Sequence, residues 1–251
     1  MPQLKAIFFD QDGVIVDTER DGHRVAFNKT FAEFGLPISW DVPYYHELLQ
    51  VSGGKERMRK HFDSKSFGKP VDDVDGLIQR MHHRKTDVFV ELIEGGHLPL
   101  RPGIHRLMRE AREQGLLLCV CTTSNERSAK AITRHLLSDI RFHSILAGDV
   151  VKAKKPDPAI YLLALERTGL RPEECLVVED SRIGTLAARA AGCRALATVN
   201  EYTRGEDMSA ADAVVTSLGE PNEPSELLAG PEDFAFHGHI DIAALRALIA
   251  R

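Results

Sequence analysis

Cysteine is scarce, with four in 251 residues. None has the spacing of a zinc site or a disulfide framework: Cys119 and Cys121 alternate within one apolar run, and Cys175 and Cys193 stand alone. Buried, reduced thiols in a cytoplasmic protein are the expectation. Positive charge is not in excess either. A formal net charge of −5 and a pI near 6.1 exclude an electrostatic case for nucleic acid or an anionic membrane surface. No apolar run approaches the ~20 residues of a membrane-crossing helix. Met1-Pro2-Gln3 leads straight into a strand pattern, so no signal peptide is expected. Repeats and low-complexity tracts are also missing. What remains is a chain with 43% apolar residues, enough to bury a core in one large domain or one domain plus a smaller one.

From residue 100 onward, strand and helix patterns alternate. Leu4–Phe9 (broken by Lys5), Leu116–Cys121, Ser144–Ala147, Leu176–Val178, Ala195–Val199 and Ala213–Val215 read as short strands. Ile104, Leu107, Met108 and Ala111 follow helical spacing after Arg101-Pro102-Gly103, and Gly115 stops that helix. Thr122–Asn125 caps a helix toward His135, Asp157-Pro158 starts the next, and Glu179-Asp180-Ser181 opens one that ends near Gly192. This alternation predicts an α/β fold with a doubly wound, mostly parallel sheet. Residues 17–97 break the pattern with helical stretches such as His23–Phe34 and Val71–Ile93 and no convincing strand. The expected division is an α/β core of residues 1–16 and 98–251 with a helical cap domain of residues 17–97, inserted where a lid would be useful. Glu220–His239, rich in Pro, Gly and acids, is expected to be irregular ahead of a last helix over Ile240–Ala250.

Open α/β sheets bind ligands outside the carboxyl ends of their strands. The residues that follow the strands here are Asp10 and Asp12, then Thr122, then Lys155, then Glu179 and Asp180. Each has an ordinary reading alone: an Asp-Gly turn, a strand-end hydroxyl, a solvated lysine, a helix-capping pair. Their joint occurrence at successive strand ends is what points to a site. Phosphoryl chemistry uses every member. Carboxylates suit Mg2+, which neutralises phosphate charge. A hydroxyl and backbone N–H groups hold phosphoryl oxygens, and a lysine offsets their charge. A shielded carboxylate can attack, while a neighbouring acid of different pKa moves the proton.

Asp10-Gln11-Asp12-Gly13-Val14, Thr122, Lys155-Pro156 and Glu179-Asp180 resemble the four motifs of the haloacid dehalogenase superfamily of phosphohydrolases. The helical insertion after the first motif resembles the C1 cap of the group that includes phosphoglycolate phosphatases and β-phosphoglucomutase. Val51-Ser52-Gly53-Gly54-Lys55, Lys85-Thr86, Arg101-Pro102-Gly103, Ala147-Gly148-Asp149 and Lys154-Lys155-Pro156-Asp157-Pro158 are similar to its CbbY-like branch. The resemblance implies a Rossmann-like core and a Mg2+-dependent phosphatase acting on a small sugar phosphate; photosynthetic members of the branch use xylulose-1,5-bisphosphate. It implies Asp10 as nucleophile, forming an aspartyl-phosphate, and Asp12 as general acid and base. Asp10, Asp180 and the Asp12 carbonyl would bind the metal, with Glu179 acting through water or orienting the site. Thr122, Thr123, Asn125 and Lys155 would hold the phosphoryl group. Thr18, His23, Gly54, Lys55 and Lys85 of the cap would reach the substrate or Asp12. One departure stands out: the interval from Thr18 to His23 is one residue longer than the family pattern. A phosphomutase shares all these parts and remains the alternative. A phospho-accepting signalling or binding module also combines strand-end Asp, Thr and Lys, but needs no cap. The resulting expectation is a cytoplasmic monomer with a small phosphorylated sugar as partner, and neither nucleic acid nor membrane.

Overall fold

Apolar runs without helical period become the strands of one sheet, and the structure, a computed structural model, describes residues 2–49, 51, 53–65, 71–234 and 236–251. Ser52 of the glycine-rich stretch lies outside them. The chain divides into two compact units, Met1–Asp17 with Pro99–Arg251, and Thr18–Leu98.

In the first unit the strands are β1 (Ala6–Phe9), β2 (Leu117–Cys121), β3 (Ser144–Leu146), β4 (Cys175–Glu179), β5 (Arg194–Thr198), β6 (Ala213–Val215) and β7 (Leu227–Ala229). Their order is β3-β2-β1-β4-β5-β6-β7. Every pairing is parallel except β6 with β7. The mostly parallel α/β fold read from the sequence is therefore present. Successive strand residues face opposite sides. Ala6, Phe8, Cys119, Cys121, Cys175, Val177 and Ala195 accordingly share one core layer. Helices α7 (Ala159–Thr168) and α8 (Arg182–Ala190) contribute Ile160, Tyr161, Ala164, Ala187 and Ala188 to that layer.

The helices that precede them in this unit are α5 (Ile104–Glu113) and α6 (Glu126–Leu136); α9 (Ile242–Ile249) closes the chain. Two expectations need correction. Glu220–His239 is not wholly irregular, because β7 lies within it. All three β7 residues are exposed, so this edge strand carries no buried-face alternation for a sequence reading to detect. The last helix is also shorter at both ends than Ile240–Ala250; Asp241 caps it by accepting from Ala244 N at 2.7 Å.

The chain runs from β1 to β2 and β3 on one side, then returns to β4 on the other. The switch point between β1 and β4 is where such sheets open a crevice. Phe9 is registered with Val178 of β4 and with Val120 of β2. Asp10 therefore emerges beside Glu179, with Cys121 on its other side.

The second unit holds a π-helical turn (Thr18–His23) and α1 (Arg24–Glu33), α2 (Val42–Leu49), α3 (Gly54–Ser64) and α4 (Val74–Glu94). Its core is aromatic: Phe27, Phe31, Trp40, Tyr45 and Phe89 are all buried. The Trp40 indole N–H donates to His61 Nδ1 at 3.2 Å, so this nitrogen is unprotonated and also accepts from the Tyr44 hydroxyl at 2.9 Å. Among the described residues, no helix is long and apolar enough to cross a membrane.

Candidate active site

Three carboxylates meet at the switch point. Asp10, Glu179 and Asp180 are buried and offer oxygen atoms within 4.8 Å of one another. Lys155 Nζ lies among them and donates to Asp10 Oδ1 at 2.5 Å, Glu179 Oε1 at 2.6 Å and the Cys121 carbonyl at 3.1 Å. Burial pushes the Asp10 carboxyl up to about 8, against the pull of the Lys155 charge. Burial also raises Asp180 well above the carboxylate range, helped by the charges of Glu179 and Asp10. Burial alone would lower Lys155, but Asp10 and Glu179 more than reverse this and raise it. One ammonium cannot balance three carboxylates in a medium of low dielectric. The surplus negative charge and the hard oxygen donors fit a divalent cation.

Backbone geometry permits this crowding. Gly13 has φ +82°, and a Cβ there would lie 2.0 Å from Asp180 Oδ2 and 2.6 Å from Asn200 Nδ2. Only glycine meets both conditions. Asn200 Nδ2 donates to Asp180 Oδ2 at 2.7 Å and fixes that carboxylate. Arg101 holds the rim: its guanidinium donates to the carbonyls of Gly13, Thr198 (2.9 Å), Val199 (2.8 Å) and Thr216 (2.8 Å).

Asp12 is half-buried and turned toward the end of β2. Its Oδ2 accepts from Thr122 Oγ1 at 3.3 Å and from the Ser124 hydroxyl. Thr123 and Asn125 are exposed, and Asn125 Oδ1 is engaged as the α6 N-cap, accepting from Arg127 N at 2.9 Å. The core unit thus gathers Asp10, Lys155, Glu179 and Asp180 tightly, with Asp12 and Thr122 alongside; among the described residues, the side chains of Thr123 and Asn125 form no hydrogen bond with this cluster.

In the helical unit, Thr18 is buried at the start of the π turn. His23 Nδ1 is 2.9 Å from Lys85 Nζ, and its ring lies 4.1 Å from that of Phe89. Lys85 is buried over the face of Phe27. Gly54 opens α3 against His82, where a Cβ would lie 2.9 Å from His82 Nε2. Burial pushes His82 down to about 4, with the Lys85 and Lys55 charges adding to the effect. Lys55 is exposed on a cleft of about 630 Å3 that Arg59, Lys60 and Asp75 also line.

A family model for haloacid dehalogenase-like hydrolases matches residues 4–192. The chain belongs to this family. A CBBY-like protein of Arabidopsis thaliana is 48% identical over 224 residues, covering 87% of this chain and 70% of the relative. A phosphorylated carbohydrates phosphatase of Thermotoga maritima is 31% identical over 221 residues, 88% of this chain and 96% of that protein. Among solved structures, a CbbY variant from Rhodobacter sphaeroides in complex with xylulose-(1,5)bisphosphate matches with TM-score 0.74 at 39% identity, over 86% of this chain and 95% of that one. This haloacid dehalogenase-like hydrolase is a phosphatase, and its buried acidic cluster is suited to a metal ion.

The interval from Thr18 to His23, expected to be one residue longer than the family pattern, adopts a distinct backbone in this hydrolase. The π turn spans that same interval. Closing i to i+5 takes up one residue more than an α turn, so His23 still meets Lys85 and Phe89. Sequence reasoning missed Ser124, Tyr161, Asn200 and Arg101. Asn200 follows the fifth strand and was open to the strand-end rule; Ser124 sat within a stretch read as a cap. Tyr161 has the spacing of an ordinary core residue, and Arg101, quoted as a helix opening and within a stretch similar to the CbbY-like branch, was given no role of its own.

Proposed function

We propose that this enzyme is a Mg2+-dependent phosphatase that hydrolyses a small sugar phosphate through an aspartyl-phosphate on Asp10. The observation that carries the reading is the cluster of Asp10, Lys155, Glu179 and Asp180, with Asp12 two residues beyond the attacking acid. Likeness to a CbbY protein solved with xylulose-(1,5)bisphosphate favours that ester as substrate.

Asp10, Asp180 and the Asp12 carbonyl would hold the cation, which supplies charge neutralisation to the phosphoryl oxygens. Lys155 anchors Asp10 Oδ1, so the carboxylate presents its other oxygen to phosphorus. As the new Asp10–phosphorus bond forms, the ester P–O bond breaks and Asp12 gives its proton to the leaving alcohol. Asp12 then takes a proton from water, whose oxygen attacks the phosphorus. The acyl-phosphate bond breaks, Asp10 is regenerated and orthophosphate leaves. Thr122 and the backbone N–H groups of Thr123 and Asn125 hold phosphoryl oxygens, those of Thr122 and Ser124 being engaged by Leu146 O and Thr122 Oγ1. Thr18, His23, Gly54, Lys55 and Lys85 are assigned to substrate selection.

The test is phosphate release from a panel of mono- and bisphosphorylated sugars, including xylulose-1,5-bisphosphate, with Mg2+ and with chelator. Free phosphate that depends on Mg2+ is the expected result. Transfer of phosphate to another sugar hydroxyl, with none released, would establish mutase chemistry instead.

A further inference from the structure

Tyr161 has had no part in the chemistry so far. It stands in the first turn of α7 with its ring fully buried in the core layer. The helical pattern of Ile160, Ala164 and Leu165 around it asks only for an apolar side chain. Phenylalanine would satisfy that packing. The hydroxyl, however, donates to Glu179 Oε1 at 2.5 Å.

That oxygen is the one that also accepts from Lys155 at 2.6 Å. The second oxygen, Oε2, accepts from Asp180 N at 3.1 Å and from the Ser181 hydroxyl at 3.3 Å. A carboxylate offers about four lone-pair sites, so Glu179 is fully engaged. Lys155 has three donors, and all are taken: by Asp10, Glu179 and the Cys121 carbonyl. The ammonium also lies 5.2 Å from the centroid of the Tyr161 ring, which bounds the space behind it. The chain of contacts therefore runs one way. Tyr161 fixes Glu179 Oε1, Glu179 fixes Lys155, and Lys155 fixes the oxygen of Asp10.

We propose that Tyr161 is a positioning residue of the phosphatase reaction: its hydroxyl locks Glu179 so that Lys155 is held against Asp10. The assignment rests on Asp10 being the nucleophile. Tyr161→Phe deletes the hydroxyl and keeps the ring. With p-nitrophenyl phosphate as probe, kcat falls about tenfold, equivalent to about 1.4 kcal/mol of barrier, and KM stays within about twofold. Acting through Glu179 also predicts strong non-additivity. In a Glu179→Ala background, or Glu179→Gln if the alanine variant does not fold, Tyr161→Phe costs less than about twofold more. Thermal midpoints of all variants check folding. A hydroxyl with a merely structural role would lower the midpoint, leave kcat unmoved and leave the two substitutions additive; either kinetic result overturns the proposal. A folded wild type that releases no phosphate from any ester overturns the phosphatase reading itself, and the assignment with it.

Discussion

Gly184→Ala is the most demanding test of the network around Glu179. Gly184 lies in the first turn of α8, where its N–H donates to Ser181 Oγ at 3.2 Å. A Cβ at this position would lie 1.9 Å from Glu179 Cδ, and 2.0 and 2.1 Å from the two carboxylate oxygens. Helix propensity alone favours alanine over glycine by about 0.8–1.0 kcal/mol. The contact reverses the sign. The carboxylate must move, and the atoms that move are those that hold Lys155 and Tyr161. Each hydrogen bond to a charged group contributes about 1.5–3 kcal/mol. Losing both outweighs the propensity gain and leaves a net destabilisation of about 2–5 kcal/mol. At about 2–4 °C per kcal/mol for a chain near this size, the melting temperature should drop by about 4–20 °C. Calorimetry measures this directly, with Gly205→Ala as control, since a Cβ there meets nothing within 4 Å. Phosphate release should fall at least about tenfold, because Lys155 loses its brace. A variant that melts at or above the wild-type temperature, or keeps full activity, would refute the reasoning.

Asp10→Asn should reduce turnover by at least about a thousandfold, since an amide is a poor nucleophile and a weak cation ligand; near-wild-type phosphate release would remove Asp10 from the mechanism. Asp12→Ala should slow sugar esters by about 10²–10⁴-fold, yet hit p-nitrophenyl phosphate less, because its leaving group needs little protonation. Equal losses on both substrates would contradict the acid role. In the helical unit, burial, with the Lys65 charge nearby, holds His61 down to about 4. An unfolded histidine titrates near 6.5, so between these values the unfolded chain binds the extra proton and stability falls as pH drops. Between pH 7 and 5 this amounts to at most about 2 kcal/mol. The urea midpoint should fall over that range, and fall less in His61→Gln; parallel curves would rule His61 out as the source.

What could be read from the sequence follows from where side chains sit relative to strand ends. Asp10, Thr122, Glu179 and Asp180 each follow an apolar run of strand length, so a parallel sheet had to bring them to one edge. Lys155 follows the third strand at a distance, and the structure carries it to Asp10. Tyr161 was not legible, because its spacing matches a core residue and the role of its hydroxyl depends on a partner 18 positions away. Arg101 was visible within a branch-like stretch, but its role was opaque, because its acceptors are backbone carbonyls, which carry no sequence signal. β7 stayed hidden because exposed residues show no alternation, and the π turn because hydropathy does not distinguish it from an α turn.

The carbonyls bound by Arg101 come from distant parts of the chain. Its guanidinium reaches back 88 residues to Gly13 and forward 115 to Thr216. Contacts of such separation form late in folding, after local helices and turns. A chain made from its amino end presents Asp10 early, yet the guanidinium beside the Gly13 turn has its full set of acceptors only once Thr216 is in place. A fragment that stops short of Thr216 can contain every acid of the cluster and still lack a finished rim. One side chain thereby joins the turn after the first strand to the residue after the sixth.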